Sequence, residues 1–382
     1  MYSENDKKFA AEFLAKVEKK LTAIAPKIGA DFPHTDPNGN YLTKDQDPLD
    51  WKAGYWPGMM WLMYIKTGNE MFRKIAEECE EKMDIGFGKR FYELHHDVGF
   101  MWELTSVANY KITGNEMSKV RASHAASVLA SRFNPTTRSI RAWPWGPQNL
   151  AIIDCLMNIP ILEWASKYGT EPDPRFAAIA RTHADTVLRT FLRPDGSVHH
   201  IVHFDNDTGE IIDFPAGQGY ASGSSWSRGQ SWAVYGLAAA YINSGKKEYL
   251  DAAKKVAHYF MTNVEPGSLP HLDFRQPAEP VWYDSSAAAI TACGLIEIAK
   301  CVDEFEAPMY ERAAIALLRA CEKSCNWDED TMWILGDGSG SYGKNVHVPY
   351  SFSDYYLTEA LMKLYGNDGK FITHDEEIKE EN

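Results

Sequence analysis

The chain lacks a paired-cysteine pattern, a basic surplus and a membrane-length apolar run, and each absence closes off a class of function. Its six cysteines (Cys79, Cys155, Cys293, Cys301, Cys321 and Cys325) include no CxxC pair with histidine partners. Neither a disulfide framework nor a zinc site is indicated. Cys321 and Cys325 are four apart, which makes them neighbours on a helix. Lys and Arg total 39 against 53 Asp and Glu, a net charge of −14. A nucleic-acid partner would need a basic face, so that class is set aside. An anionic ligand would need local cations to reverse the field. No apolar stretch approaches the ~18 residues of a membrane span, and residues 1–20 are polar and amphipathic, without an apolar signal core. A cytoplasmic protein with no membrane partner is expected. No Pro/Gly/Ser linker or charge block divides the 382 residues. One domain, 1–372, is expected, followed by an acidic tail, 373–382, expected to be disordered.

Aromatic residues, by contrast, are abundant, at 13% with 12 Trp. Most such rings fill cores, but Trp also offers a flat apolar platform for a sugar face. Apolar segments that stop at Lys, Tyr or Ser with a glycine are followed by a second, amphipathic segment. The pattern runs 61–68 then 71–83, 105–114 then 117–133, 157–169 then 175–191, and 233–245 then 247–262. A variant, 290–305 then 309–324, has Pro308 in the turn, and 355–366 reads as a last inner helix. Self-similarity of this size means stacked helical hairpins, none able to bury its apolar face alone. Six of them close into an all-α ring, a six-hairpin toroid with a mouth.

The segments before the inner helices share a character: aromatic residues with Asp, Ser and Gly. They include Trp51 to Gly58, His95 to Phe100, Trp143 to Asn149, Ile152 to Pro160, Ser225 to Trp232, Trp282 to Ala289 and Tyr350 to Tyr356. Helix capping is the plain structural role open to Asp97, Asp154, Asp284 and Asp354. In a closed ring, however, all inner-helix N-termini face one end. Their aromatic, Asp, His and Arg residues would converge there, as a carbohydrate site requires. The helix dipoles would bias that end positive. Asp154 stands in an almost wholly apolar run, Leu150 to Pro160, where desolvation would raise its pKa toward that of a working general acid. Asp97, beside His96, would make the second member of a pair with separated pKa values. The spacing of His199, His200 and His203 matches no metal site, which leaves loop packing or a substrate contact open. Arg228, between Trp226 and Trp232, is the best candidate for a two-pronged grip on a carboxylate.

At these residues the chain resembles the unsaturated glucuronyl hydrolases of glycoside hydrolase family 88. The likeness covers nearly the whole chain. It includes Trp51 to Gly58 (WxxGxWPG), His96 to Phe100 (HDxGF), Ile152 to Asn158 (IIDxxMN), Gln218 to Tyr220, Trp226 to Trp232 (WxRGQxW) and Asp354 to Tyr356. The resemblance implies an (α/α)6 barrel, no metal and no organic cofactor. It implies substrates left by polysaccharide lyases, such as chondroitin, hyaluronan or heparin fragments with a 4,5-unsaturated uronic acid at the non-reducing end. It also implies hydration of that double bond by Asp154, with Asp97 as the second carboxylate. Trp51, His96, Trp143, His200, Gln218, Arg228 and Trp232 would line the site. Ser339 and Lys344, in the loop before the last helix, would contact a substrate sulfate, although Tyr342 stands where a second Ser is expected. A monomer or weak homodimer is expected. The rivals are an unsaturated rhamnogalacturonyl hydrolase acting on pectin fragments, an inverting glycosidase or sugar epimerase, and a sugar-binding barrel without catalysis.

Overall fold

The tetrapeptide Thr-Gly-Asn-Glu occurs twice, at 67–70 and 113–116, and it shows how the hairpins are made. Gly68 and Gly114 take positive φ (67° and 74°) and end the helices Tyr55–Thr67 and Ala108–Thr113. A side chain would be strained there, which is why glycine ends these helices. The next residue then caps the returning helix. The Asn69 side chain accepts the Met71 N–H at 3.0 Å and that of Asn115 accepts the Met117 N–H at 2.9 Å. Each such cap stabilises its helix by about 1 kcal/mol.

The computed structural model describes residues 2–374, and its helices alternate between an inner and an outer layer. The inner helices are Tyr55–Thr67, the run from Val98 through the π-helical turn Glu103–Val107 to Thr113, Pro160–Tyr168, Ser227–Ser244, Ser285–Cys301 and Ser351–Tyr365. These are buried nearly all round; in Ser285–Cys301 every residue through Ile298 is enclosed. The outer helices bury one stripe. Glu70–Met83 buries Phe72, Ile75, Ala76, Cys79 and Met83 at the 3–4 residue spacing of an amphipathic helix. Among the described residues no helix follows the last inner helix. The N-terminal helix Glu4–Ile28 takes that place, packing on Ser351–Tyr365, which also meets Tyr55–Thr67. The two ends of the chain thus close the ring, the (α/α)6 toroid expected from the repeat. All six cysteines are free.

Two features at the mouth fix the site. A three-stranded antiparallel sheet pairs Leu150–Ile152 with Ile201–Phe204, and the latter with Ile211–Asp213. It is extended by the Ile153 N–H donating to the His200 carbonyl at 3.0 Å, which brings His200 beside Asp154. Gly99 lies against Asn158 so closely that a Cβ would stand 2.4 Å from the Asn158 Cα. That contact sets the distance between the segments bearing Asp97 and Asp154.

The expected boundary at 372 falls two residues short of the packed chain. Thr373 and His374 are buried. The Asn243 carboxamide donates to the Ile372 carbonyl at 3.0 Å and accepts the His374 N–H at 2.7 Å. The rest of the expected tail, 375–382, lies outside the described residues. Among the described residues no helix is long and apolar enough to cross a membrane.

Candidate active site

Asp154 sits in a 3-10 turn, Ile153–Met157, between the last strand residue and the inner helix that Pro160 begins. It caps nothing. Its Oδ1 has no hydrogen bond within the protein and lies 3.7 Å from His200 Nε2, which is equally unpartnered. Burial, reinforced by the negative charge of Asp97, pushes the Asp154 carboxyl up to about 8, against the pull of Arg228 and the Trp232 indole. It therefore holds a proton at neutral pH. His200 is a neutral imidazole, driven down to about 3 by burial. The Gln218 N–H donates to its Nδ1 at 3.0 Å, the shorter of two backbone contacts beside Ala216 O at 3.3 Å. Its proton is therefore on Nε2, facing Asp154.

Asp97 has the opposite electrostatic environment. Burial opposes its charge, but His96, His95 and the Asn158 amide more than offset this and hold it below the ordinary carboxylate value. His95 Nδ1 is 3.1 Å and His96 Nε2 3.3 Å from its Oδ2. Asn158 joins the two carboxyl segments. Its Nδ2 donates to Asp97 Oδ1 at 3.4 Å and to the Asp154 carbonyl at 3.2 Å, and its Oδ1 accepts the Phe100 N–H at 2.7 Å. One carboxyl is thus protonated and the other ionised, a division of state suited to proton transfer.

Aromatic rings surround the pair. Trp51 packs on Phe100 and Phe352 with centroids 5.9 and 5.2 Å apart, and Phe100 meets Trp232 at 5.1 Å. Trp143 stands edge-on to His96 at 5.8 Å. Trp226 lies 4.2 Å from the His200 ring. The structure therefore brings together Asp97, Asp154, Trp51, His96, Trp143, His200 and Trp232 from six separate stretches of chain.

Arg228, Gln218 and Ser339 also hold the architecture beside the site. Arg228 is 2% exposed. Its Nη1 pairs with Asp284 and donates to Ser286 Oγ (3.2 Å) and the Ser339 carbonyl (2.6 Å), while Nη2 donates to the Gly340 carbonyl at 2.8 Å. Trp226 and Phe352 cover the guanidinium, 4.5 and 5.3 Å from their centroids. The guanidinium clamps the turn 339–340 and its charge reaches Asp154 through space, while the two-pronged grip on a substrate carboxylate stays a proposal. Ser339 is fully buried and its hydroxyl donates to the Tyr283 carbonyl at 2.6 Å, so it is withdrawn as a sulfate contact. Gln218 Nε2 donates to the Gly340 carbonyl at 2.6 Å and its carbonyl accepts the Tyr342 N–H at 2.9 Å, pinning the same hairpin. Lys344, in that hairpin, is exposed. Of the remaining acidic residues at helix starts, Asp284 does cap, accepting the Ser286 N–H at 3.1 Å. Asp354 accepts the Tyr41 hydroxyl at 2.9 Å and the Leu335 N–H at 2.7 Å, a structural knot.

The model of glycosyl hydrolase family 88 matches residues 24–373. The chain belongs to that family. It is 36% identical over 361 residues, 88% of this chain and 92% of the other, to an unsaturated glucuronyl hydrolase of Bacillus sp. strain GL1. It is 30% identical, over 94% of this chain and 92% of the other, to an unsaturated chondroitin disaccharide hydrolase of Streptococcus pneumoniae strain R6. Among solved structures, the unsaturated glucuronyl hydrolase of Bacillus sp. GL1 superposes with a TM-score of 0.86 at 32% identity, covering 94% of this chain and 97% of its own.

His95 and Asn158 lie outside the site residues expected from the sequence, yet both touch Asp97. The signal for Asn158 was present in the IIDxxMN stretch: four residues after Asp154, it can return to that residue's carbonyl. His95 gave none, because adjacent histidines do not reveal which ring turns inward.

Proposed function

We propose that this protein is an unsaturated glucuronyl hydrolase that removes the 4,5-unsaturated uronic acid from glycosaminoglycan-derived oligosaccharides by hydrating its double bond. The observation that supports this best is the protonated Asp154 beside the ionised Asp97. The substrate is an enol ether, and its C4 is the nucleophilic carbon. Asp154 donates its proton to C4, which leaves an oxocarbenium-like centre at C5. The resulting carboxylate then takes a proton from water as the water oxygen bonds to C5. Water has been added across the double bond, and Asp154 is protonated again. The hemiketal formed at C5 opens and releases the remaining saccharide. Asp97 holds sugar hydroxyls and disfavours charge on Asp154, while Trp51, Trp143 and Trp232 flank the ring.

The pH profile follows from these states. Activity needs Asp154 protonated, so kcat/KM falls as pH rises through about 8. Neither buried imidazole contributes a limb between about 5 and 7, because both stay neutral there. A kcat/KM profile with an inflection near 6 would count against the assignment.

The defining experiment follows the ultraviolet band of the conjugated double bond in lyase-generated chondroitin disaccharides. Its loss is the expected result. A band that persists on these and fades only on pectin-derived fragments would favour the rhamnogalacturonyl reading. Persistence on both would leave an inverting glycosidase, a sugar epimerase or a sugar-binding barrel. Lys344 is the remaining cation for a sulfate, on the hairpin held by Gln218 and Arg228. Lys344→Ala should slow turnover of the sulfated disaccharide several-fold more than that of the unsulfated one. Equal effects would dismiss it as a sulfate contact.

A further inference from the structure

The tripeptide His95-His96-Asp97 presents three donor atoms in one place: His95 Nδ1, His96 Nε2 and an Asp97 carboxylate oxygen, all within 4.8 Å of one another. Bonds of about 2.0–2.2 Å in a tetrahedral zinc site put neighbouring ligand atoms about 3.4 Å apart. Here the two imidazole nitrogens lie 3.1 and 3.3 Å from the Asp97 Oδ2. The donor chemistry is as specific as the spacing. Two imidazoles and one carboxylate suit zinc and its transition-metal neighbours, whereas magnesium and calcium take oxygen ligands.

Two further observations favour a cation there. Asp97 is 6% exposed, and its side-chain partners are two imidazoles and a neutral amide rather than a Lys or Arg. His96 is 1% exposed and its Nδ1 has no hydrogen bond within the protein. A cation seated between Nε2 and the carboxylate would displace the Nε2 proton, and the unpartnered Nδ1 is available to carry the ring's N–H.

We propose that His95, His96 and Asp97 form an inhibitory site for a divalent transition metal, zinc foremost, which takes the Asp97 carboxylate out of substrate binding. Three protein ligands leave a fourth position for water. Binding itself stands on the donor geometry. The inhibition rests on the function proposed above, in which Asp97 holds the sugar. The two are therefore tested separately.

Cobalt(II) is titrated into the full-length Asp154→Asn variant and the visible d–d bands of a four-coordinate ion are followed. Bands that saturate at one cobalt per chain and vanish on adding zinc are expected. Both His95→Ala and the bulkier His95→Gln should weaken cobalt binding about 10-fold or more, as loss of one of three ligands predicts. Circular dichroism confirms that each variant is folded. In the unmodified enzyme, zinc should abolish turnover and a chelator should restore it. The half-inhibiting zinc concentration, measured against each variant's own activity, should rise about 10-fold in the His95 variants. Magnesium should do neither. Absence of saturating cobalt bands, or equal cobalt affinity in folded His95 variants, would overturn the site. Cobalt bands without zinc inhibition would overturn only the competition with substrate.

Discussion

Asp154→Asn loses about 10³-fold or more of its turnover on unsaturated disaccharides, because Asn can neither donate nor accept the proton at C4. The same substitution changes stability in the other direction. The Asp154 carboxyl rises from the unfolded value of 3.8 to about 8 in the folded chain. Between those values the folded state binds a proton that the unfolded state has released. Stability therefore falls as pH rises across that window, by at most about 1.4 kcal/mol per unit from this group. Asn has no such proton. Measured as Tm against pH, the variant should match the parent most closely near pH 4 and become progressively more stable relative to it up to about pH 8. Taking the difference between the two cancels the other raised carboxyls, Glu103, Asp354 and Glu359. A variant that keeps near-parental turnover would remove Asp154 from the mechanism. A variant whose Tm difference is flat with pH would remove burial as the source of its protonation.

The stability that this protein gives up at Asp154 was visible in the sequence. A single carboxylate in the run Leu150 to Pro160 has few local donors, and in the structure its Oδ1 has none. The ring was legible for a similar reason, since inner and outer segments differ in how much of the helix surface is apolar and the glycine stops recur between them. Other features depended on contacts between distant segments. Arg228 and Ser339 sit in motif-like surroundings that suit ligand binding equally well. What turns them inward is Asp284, 56 residues from Arg228, and the Tyr283 carbonyl, 56 residues from Ser339. The sequence does not say which acceptor a guanidinium will reach across a ring. Nor could the repeat alone assign the outer partner of the last inner helix, because that partner is the first helix of the chain.

Arg228 gives the second large effect, and its sign separates the clamp from the grip expected at first. Arg228→Met strands the Asp284 carboxylate, which is fully buried, and frees the Ser339 and Gly340 carbonyls. Breaking one side of a buried ion pair costs about 3–5 kcal/mol. Tm should drop by several degrees and turnover should fall with it, as the hairpin bearing Lys344 shifts. Removing the second charge as well, in Arg228→Met with Asp284→Leu, leaves no uncompensated ion and should recover much of the lost stability. It should not recover full activity, because the turn 339–340 then lacks its guanidinium contacts and holds Gln218, the residue whose N–H sets the His200 tautomer, less firmly. A substrate-binding arginine behaves otherwise: its loss raises KM, leaves Tm in place, and gains nothing from changing Asp284. Tm and KM measured on the single and double variants therefore distinguish the two roles. A raised KM with an unaltered Tm would return Arg228 to the substrate.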